Sequence, residues 1–417
     1  MSTISQYFTA GEAATKIGIS IDTIRRWDKK GLIMAKRDTR NARIFSIDEL
    51  NRIQSRLGNN NSENRYKILK NKNKSKYSVI ELFAGAGGTA LGMENAGIKH
   101  VLLNEWDKHA CSTLRTNRPD WNVIECDVRE LKFFAGQADI VQGGFPCQAF
   151  SSAGNKMGFE DIRGTMFFEF ARCVKEVRPK IAIGENVRGL LTHDNGRTLK
   201  TMVLVLEDLG YKVKYKVLKS HYFDVPQKRE RLIIIGVRND LKIPIVFPKE
   251  RDYVLSLKEA LYNCPKSEGQ EYPKNKKKIM ELIPAGGYWR DLPEKLQKEY
   301  MGASFYMGGG KTGMARRLSW DEPSLTLTCS PAQKQTERCH PVETRPLSVR
   351  EYARIQTFPD NWKFSGSVAQ QYKQIGNAVP VNLSYHIGNL LIKMLSGEIK
   401  EVEEEETIQP ALFALAN

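Results

Sequence analysis

The sequence predicts an α/β protein built on a Rossmann-like, doubly wound and mostly parallel sheet. Two observations support this prediction. Short apolar strand patterns alternate with helical segments from Tyr77 onward, which is the pattern of βαβ units. The alternation breaks over residues 241–345, which are rich in Pro, Gly and Lys, and resumes after Pro346. We therefore expect a smaller, irregular domain inserted between two parts of the sheet domain.

The strands of the sheet are predicted from apolar runs bounded by turn residues. The first run ends in a Gly-rich turn that opens a helix. After the irregular region we expect a helix over 349–358, and then a last strand and helix within 375–395. The predicted strands of the first part are 79–83, 100–105, 123–126, 140–141, 181–183, 211–218 and 232–236.

The composition of the 417-residue chain is that of a soluble globular protein, with 41% hydrophobic and 27% charged residues. It contains no run of about 18 apolar residues and no signal-peptide pattern, so no membrane association is expected. Its seven cysteines are scattered without a C-x-x-C pair, which favours the reducing cytoplasm and argues against a bound metal. The net charge of +16 indicates a polyanionic partner.

Residues 1–57 are predicted to form a separate DNA-binding domain. A helix starts after the cap residue Thr9, a turn follows at Gly18, and a second helix begins at Ile21. This helix-turn-helix spacing resembles the winged domain of the MerR and excisionase families, with residues 32–33 and 43–45 paired as the wing. The alternative is a small helical domain with an exposed basic face. The resemblance implies DNA contacts from arginines of the second helix and the wing: Arg25, Arg26, Arg37, Arg40 and Arg43.

The following residues, 58–76, are rich in Asn, Ser and Lys and poor in apolar side chains. Such a segment buries too little apolar surface to fold by itself. A flexible basic linker is therefore predicted between the N-terminal domain and the sheet domain.

Three predicted strands end in residues suited to a nucleoside. The first is followed by the turn 83–88, whose glycines allow close backbone approach to a ligand. Glu105 ends the second strand, where a carboxylate accepts hydrogen bonds from ribose hydroxyls, and the Trp106 ring beside it can lie on an adenine. Asp127 ends the third strand and can accept from an adenine amino group. Because the carboxyl ends of parallel strands share one edge of the sheet, we expect one nucleoside pocket there.

A thiol stands after the fourth predicted strand. Residues 143–151 have the sequence GGFPCQAFS, which places Cys147 on a loop shaped by Gly and Pro. The same edge of the sheet is where ligands and chemistry gather, so Cys147 is the candidate nucleophile. Ser151 is not expected to be one, because no G-x-S-x-G frame surrounds it.

Seven motifs in order make the chain similar to the cytosine-5 DNA methyltransferases over residues 77 to about 395. They are FAGAGG at 83–88, NEWD at 104–107, GFPCQ at 144–148, GENV at 184–187, QKRER at 227–231, REYARIQTFP at 350–359 and QIGNAVP at 374–380. The resemblance implies that the nucleoside pocket binds S-adenosylmethionine. It assigns the cofactor to Phe83, Ala86, Gly88, Glu105, Trp106, Asp127, Pro146, Asn377 and Ala378.

The resemblance also divides the remaining chain. Residues 77–240 correspond to the catalytic domain and residues 241–345 to the target-recognition domain. Residues 346–397 return to the catalytic domain, and residues 398–417 form an acidic tail.

The implied reaction needs a nucleophile, an acid and an extruded base. Carbon 5 of cytosine becomes nucleophilic once a thiolate has added to carbon 6, and Cys147 is the implied thiol. Glu185 is the implied acid for nitrogen 3, a task that suits a water-poor pocket. Arg229 and Arg231 share one face of an extended segment, where one would hold the cytosine O2 and the other would orient Glu185. The base itself has to leave the stacked duplex.

Further DNA contacts are implied in two places. The loop carrying Gln148 and Ser151 has small, polar residues suited to closing over the extruded nucleotide. Thr326 and Thr328 are candidate contacts around the vacated base, and they fit equally well as strand residues at alternate positions.

The sequence thus predicts a DNA (cytosine-5) methyltransferase of a restriction-modification system that acts on double-stranded DNA, with GGNCC-type targets expected. We expect a monomer in catalysis, or a dimer through the N-terminal domain, in the cytoplasm and nucleoid of a prokaryote. A cognate restriction endonuclease would share the site without binding the enzyme. The N-terminal domain is hypothesised to repress the enzyme's own gene, and the alternative is that it only adds nonspecific affinity for DNA. The alternatives are an RNA cytosine-5 methyltransferase and a transcriptional regulator with a nucleoside-sensing domain.

Overall fold

The computed structural model describes residues 7–17, 21–29, 33–39, 41–58, 65–146, 165–309 and 311–399. The chain forms two compact units, Met1–Arg65 and Tyr66–Asn417. No helix within the described ranges is long and apolar enough to cross a membrane.

Among the described residues, the first unit contains three helices and a three-stranded sheet whose central strand is Arg43–Ser46. Thr9 caps the first helix as predicted, because its N–H donates to Glu12 Oε2 over 2.8 Å while the Glu12 N–H reaches the Thr9 hydroxyl over 3.4 Å. The elements are β1 (Tyr7–Thr9), α1 (Ala10–Ile17), α2 (Ile21–Lys29), β2 (Lys36–Arg37), β3 (Arg43–Ser46) and α3 (Ile47–Gly58).

The wing differs from the prediction. β3 pairs with Lys36–Arg37, not with residues 32–33, and Leu32 lies outside the described residues. Ile33 is instead fully buried in the core of this unit, together with Ile24 and Phe45. An apolar side chain is more stable in that core than on an exposed hairpin, whereas Lys and Arg suit the hairpin.

A seven-stranded sheet forms the centre of the second unit. Its strands β4 to β8 are parallel, and β11 is antiparallel to both of its neighbours. The order is β6-β5-β4-β7-β8-β11-β9, so the winding direction reverses between β4 and β7. The strands are β4 (Ser78–Leu82), β5 (Lys99–Glu105), β6 (Val123–Glu125), β7 (Ile140–Gly143), β8 (Ile181–Val187), β9 (Tyr211–Lys219), β10 (Gln227–Lys228), β11 (Glu230–Arg238) and β12 (Ser324–Leu325), of which β10 and β12 pair separately.

Helices cover both faces of this sheet, which confirms the doubly wound α/β class. Ile80 packs with Phe170 and Met202 on one face, and its neighbour Val79 packs with Met93 and Leu391 on the other. The helices are α4 (Gly88–Ala96), α5 (Lys108–Asn117), α6 (Met166–Val177), α7 (Arg197–Asp208), α8 (Leu257–Leu261), α9 (Lys274–Glu281), α10 (Glu294–Met301), α11 (Val349–Ile355), α12 (Val368–Asn377) and α13 (Val381–Ser396).

The strand expected near Ile375 is wrong, because this segment is the end of α12. Ser367 starts the helix with a capping box that involves Gln370. Tyr372 and Ile375, three residues apart, are both fully buried in one apolar cluster. Helical spacing of apolar residues therefore outweighs the short alternating pattern that suggested a strand.

Residues 241–345 lie within the second unit. They include a small core of their own, in which Tyr272, Met280 and Trp289 pack together. Leu257 and Leu318, however, pack in the same cluster as residues of α11 and α12. The irregular region is thus anchored in the sheet domain near both of its ends.

Residues 66–76, hereafter the strap, are packed on the second unit and do not form a flexible linker. The Leu69 N–H donates to Asn382 Oδ1 over 3.0 Å. The Asn71 side chain donates to the Ala96 carbonyl over 2.9 Å and accepts from the Tyr385 hydroxyl over 2.7 Å. The polar residues that suggested a solvated chain are in fact hydrogen-bond partners of α4 and α13.

Candidate active site

A cavity of about 510 Å³ opens where β4, β5, β7 and β8 end, beside the point where the winding reverses. Open α/β sheets bind ligands at this place. The turn after β4, the residues after β5 and the end of α12 form its walls. A volume of this size is typical of small-molecule and cofactor sites.

The Gly-rich turn is held in shape by Glu105. The Glu105 carboxylate accepts from the Gly85 N–H over 2.8 Å, and from the N–H groups of Trp106 and Asp107 over 2.9 Å each. Phe83 has φ +59°, in the left-handed region that non-glycine residues rarely adopt. The Trp106 ring lines the cavity and is 77% exposed. The Gly-rich turn, the Glu105 carboxylate and the Trp106 side chain therefore line one cavity, and the hydrogen bonds of Glu105 hold the turn in place.

The turn and the end of α12 approach closely at Gly88. A Cβ on Gly88 would lie 2.2 Å from the Val379 carbonyl oxygen and 3.1 Å from Ala378 Cβ. Only glycine allows this approach, so Gly88 sets the distance between two walls of the cavity.

Glu185 and Arg231 form an ion pair at the next wall. Glu185 lies near the end of β8 and Arg231 near the start of β11, and Arg231 Nε is 2.7 Å from Glu185 Oε1. Burial lowers the pKa of Arg231, and the Glu185 charge opposes this effect. The pair leaves Glu185 Oε2 beside Gly144, where a Cβ would come within 3.1 Å of it.

Arg229 donates to backbone carbonyls, whereas Arg231 pairs with a carboxylate. It is 1% exposed, and its two terminal nitrogens donate to the carbonyls of Leu327 over 3.1 Å and Gly376 over 3.0 Å. Its Nε has no hydrogen-bond partner among the described residues. Burial, together with the Arg231 charge, lowers the pKa of Arg229 well below its ordinary value. Arg229 therefore ties together three segments around the cavity.

α12 supplies lining residues that sequence reasoning missed. Gln370, Lys373 and Gln374 line the cavity and precede Asn377 at helical spacing. Lys373 Nζ lies 3.4 Å from Asp107 Oδ2, so an ion pair joins α12 to the start of α5. Counting back from Asn377 by helical turns would have found these residues.

The structure brings most of the candidate residues into this one cavity. From the cofactor set and the catalytic set, the lining includes Phe83, Ala86, Gly88, Glu105, Trp106, Pro146, Glu185, Arg229, Arg231, Asn377 and Ala378. The candidates Cys147, Gln148 and Ser151 lie outside the described residues.

Three described candidates of the second unit are not among the lining residues. The Asp127 carboxylate is bonded to the backbone and guanidinium of Arg129, which lowers the pKa of Asp127 to about 2. The Thr326 hydroxyl donates to the Lys228 carbonyl over 2.8 Å. The Thr328 hydroxyl donates to the Ser330 carbonyl over 3.1 Å. Their contacts with cofactor or DNA stay predictions.

In the first unit, Arg25 is exposed on α2, whereas the side chain of Arg26 lies outside the described part. Arg43 Nε lies 2.6 Å from Asp28 Oδ2 and so connects β3 to α2. The geometry gives Arg43 a bracing contact within this unit, and its DNA contact stays a prediction.

Two protein-family models match the chain. The model for C-5 cytosine-specific DNA methylases matches residues 77–393. The model for MerR family regulatory proteins matches residues 9–45.

Known proteins are similar over nearly the whole length. The chain is 56% identical over 410 residues to the type II methyltransferase M.Eco47II of Escherichia coli, which covers 95% of the chain and 97% of that protein. It is 53% identical over 411 residues to the type II methyltransferase M.PspPI of Psychrobacter sp. (strain TA137), with 95% and 99% covered. It is 54% identical over 334 residues to M.Sau96I of Staphylococcus aureus, with 78% and 77% covered.

Solved structures show the same fold at low sequence identity. The methyltransferase EhMeth of Entamoeba histolytica superposes with a TM-score of 0.53 at 16% identity, covering 79% of the chain and 100% of that protein. A variant of DNMT2 from Spodoptera frugiperda gives a TM-score of 0.51 at 18% identity, covering 77% and 100%.

Proposed function

Because the chain belongs to the C-5 cytosine-specific DNA methylase family, we propose that its cavity holds S-adenosylmethionine and an extruded cytosine side by side. The enzyme transfers a methyl group to carbon 5 of cytosine in DNA, as type II methyltransferases of restriction-modification systems do. The RNA and regulator alternatives lose their support, since the family match is to DNA methylases and spans the catalytic motifs. The proposal rests on one observation. The Glu185–Arg231 ion pair lines the same cavity as Glu105 and Trp106.

The cofactor is assigned to the half of the cavity near β4 and β5. Family membership implies S-adenosylmethionine, which supplies an electrophilic methyl group when bound. The exposed Trp106 ring offers a flat surface for adenine, and Glu105 keeps acceptor capacity for the ribose beyond its three backbone contacts. Phe83, Ala86, Gly88, Pro146, Asn377 and Ala378 would enclose the remainder.

The cytosine is assigned to the half near β8. Cys147 would add its thiolate to carbon 6, and nitrogen 3 would take up a proton from Glu185 as carbon 5 attacks the methyl group. A base, either water or a DNA phosphate, would then remove the carbon 5 proton as the Cys147 thiolate leaves carbon 6, and nitrogen 3 would return its proton to Glu185. Arg231 fixes Glu185 Oε1, which leaves Oε2 to meet the ring.

The role proposed for Arg229 follows from its hydrogen bonds. With Leu327 and Gly376 occupying its terminal nitrogens, Arg229 holds the cavity walls together and has only Nε free of described partners. We therefore assign the positioning of Glu185 to Arg231 and the shape of the cavity to Arg229.

Selection of the target is assigned to residues 241–345. This region has its own small core and is anchored near both ends to the sheet domain. A rigid attachment of this kind suits a surface that places one DNA sequence over the cavity. We expect a short target of GGNCC type.

Bisulfite sequencing of DNA from cells expressing the protein tests the function. We expect methylated cytosines in one short, palindromic sequence, and none in cells expressing Cys147→Ser. Methylation that persists in that variant would contradict the proposed nucleophile. An absence of methylation with the wild-type protein would contradict the function itself.

The first unit supports a second activity, binding of the promoter of the enzyme's own gene. The MerR match to residues 9–45 and the paired helices α1 and α2 favour it. Deletion should remove residues 1–65 and keep the strap, because the strap is packed on the second unit. Loss of promoter repression with retained methylation is the expected result. Unchanged repression would show that the first unit has no such role.

A further inference from the structure

Two neighbouring apolar side chains, Tyr306 and Met307, are left in solvent outside the cavity. Tyr306 is 80% exposed and Met307 is 66% exposed, at the end of the short 3-10 helix Gly302–Tyr306. Adjacent large apolar side chains in water mark contact surfaces. We call Tyr306 and Met307 the tip.

The tip stands on a fixed base. The ring of Phe305 packs edge-on against Trp289 with 6.0 Å between centroids, and Trp289 is only 5% exposed. The Tyr306 ring in turn packs edge-on against Phe305 at 5.2 Å. The aromatic chain from the buried Trp289 to the exposed Tyr306 therefore holds the tip in one place.

The residues after the tip leave room for a partner. A Cβ on Gly308 or Gly309 would meet no atom within 4 Å. Gly309 has φ +95°, which favours glycine, but no positive φ requires glycine at position 308. In the described part of the chain, neither packing nor backbone conformation explains Gly308, whereas the close approach of another molecule would.

Cations surround this aromatic base. Lys298 Nζ lies 5.8 Å from the centre of the Phe305 ring, and the Arg290 guanidinium lies 5.2 Å from the Trp289 ring. Lys311 Nζ lies against the carbonyls of residues 304 and 307. Lys298 is also paired with Glu294 over 2.7 Å, so its charge is partly offset. An apolar tip with cations beside it matches a nucleic acid, which offers base faces between rows of phosphates.

We propose that Tyr306 and Met307 insert into the target duplex and contact bases beside the extruded cytosine. This inference rests on the proposed function and on the recognition role assigned to residues 241–345. Extrusion leaves the neighbouring bases without a stacking partner, and aromatic or apolar side chains can replace it. The tip thus contributes to recognition of the target and not to binding of the methyl donor.

The test compares Tyr306→Ala and Met307→Ala with the control Val342→Ala, which removes a 70% exposed side chain from the same region. Dissociation constants are measured for the cognate duplex and for a duplex without the target, over a series of salt concentrations. We expect the tip variants to lose roughly tenfold or more in cognate affinity, the size of one lost stacking contact. The tip variants should keep the wild-type KM for S-adenosylmethionine and the wild-type affinity for the duplex without the target. The control Val342→Ala should keep the wild-type affinity for both duplexes. Tyr306→Phe should retain cognate affinity, because it keeps the ring.

Wild-type cognate affinity in both alanine variants would overturn the inference. So would an equal loss on both duplexes with a reduced salt dependence, because that result indicates a phosphate contact. Failure of the wild-type enzyme to methylate any cytosine would instead refute the proposed function. Thermal unfolding of each variant distinguishes a lost contact from a lost fold, since neither exposed side chain supports the core.

Discussion

Arg231 reaches Glu185 diagonally across two antiparallel strands, with 2.7 Å between Nε and Oε1. Glu185 is paired in register with Ile233, two residues beyond Arg231, so both charged side chains project from the same face. They are 11% and 14% exposed. The pairing fixes one carboxylate oxygen and directs the other towards the space proposed for cytosine.

Replacing Arg231 by Ala should reduce the chemical step more than cofactor binding. Removal of one partner leaves the Glu185 charge uncompensated, which costs about 3–5 kcal/mol for a buried pair. Since Glu185 is the proposed acid, we expect kcat to fall roughly 10²-fold or more. Steady-state kinetics should show little change in the KM for S-adenosylmethionine. Arg231→Lys keeps the charge, so its kcat should lie between those of wild type and Arg231→Ala. Equal kcat values for wild type and Arg231→Ala would refute the role proposed for Arg231.

Replacing Arg229 by Lys should produce a different defect. Lysine keeps a charge but cannot donate to the Leu327 and Gly376 carbonyls at once. Hydrogen bonds from charged groups contribute about 1.5–3 kcal/mol each, so a lower unfolding temperature is expected. The wall at Gly376 should also loosen, which raises the dissociation constant of S-adenosylmethionine in calorimetric titrations. A variant with normal stability and cofactor affinity but reduced kcat would restore the base-contacting role for Arg229.

Arg229 and Arg231 show which features of the site a sequence pattern predicts and which it does not. Their spacing in an extended segment predicted that both reach the cavity, and they do. The carbonyls that hold Arg229 belong to residues 327 and 376, whose positions only the complete fold determines. Asp127 follows a strand as expected, but its carboxylate accepts hydrogen bonds from the nearby Arg129 guanidinium. A pattern of residues at strand ends does not reveal such a local partner. In the strap, the polar composition around Asn71 did not reveal that its side chain is partly buried and hydrogen-bonded to the second unit.

Replacing Gly88 by Ala should separate the two cavity walls. The added Cβ would lie 2.2 Å from the Val379 carbonyl oxygen, which is backbone and cannot rotate away. Overpacking of this kind costs about 1–3 kcal/mol, and we expect weaker S-adenosylmethionine binding together with a lower unfolding temperature. Gly189→Ala is the control, because its Cβ would have no atom nearer than 4.0 Å. Equal cofactor affinity in both variants would contradict the close approach.

Asp224 should make stability depend on pH in the acid range. Burial would raise its pKa, but hydrogen bonds from His386, Tyr253 and Arg251 outweigh burial and hold the pKa well below its ordinary value of 3.8. A lowered pKa means that the unfolded chain binds the proton first, so this stabilisation is present above pH 3.8 and is lost as the pH falls further. Urea unfolding over a pH series should show a shallower acid decline for Asp224→Asn than for wild type. Parallel curves would exclude this role.

The strap provides the last prediction, because its contacts place residues 66–76 within the catalytic unit. A chain starting at Tyr66 keeps the hydrogen bonds of Leu69 and Asn71 to α13, and one starting at Tyr77 loses them. Each bond contributes about 0.5–1.5 kcal/mol, so the shorter chain should unfold at a clearly lower temperature.

A point variant separates this effect from the truncation itself. In the full chain, Asn71→Ala should lower the unfolding temperature, because Asn71 bonds to Asn389 over 2.7 Å and to the Ala96 carbonyl over 2.9 Å. Asn73→Ala alters an exposed side chain of the same segment and should not. If the chains starting at Tyr66 and Tyr77 unfold at the same temperature, the strap is a tether after all. If only the longer one matches the full chain, the first unit can be removed without destabilising the second unit.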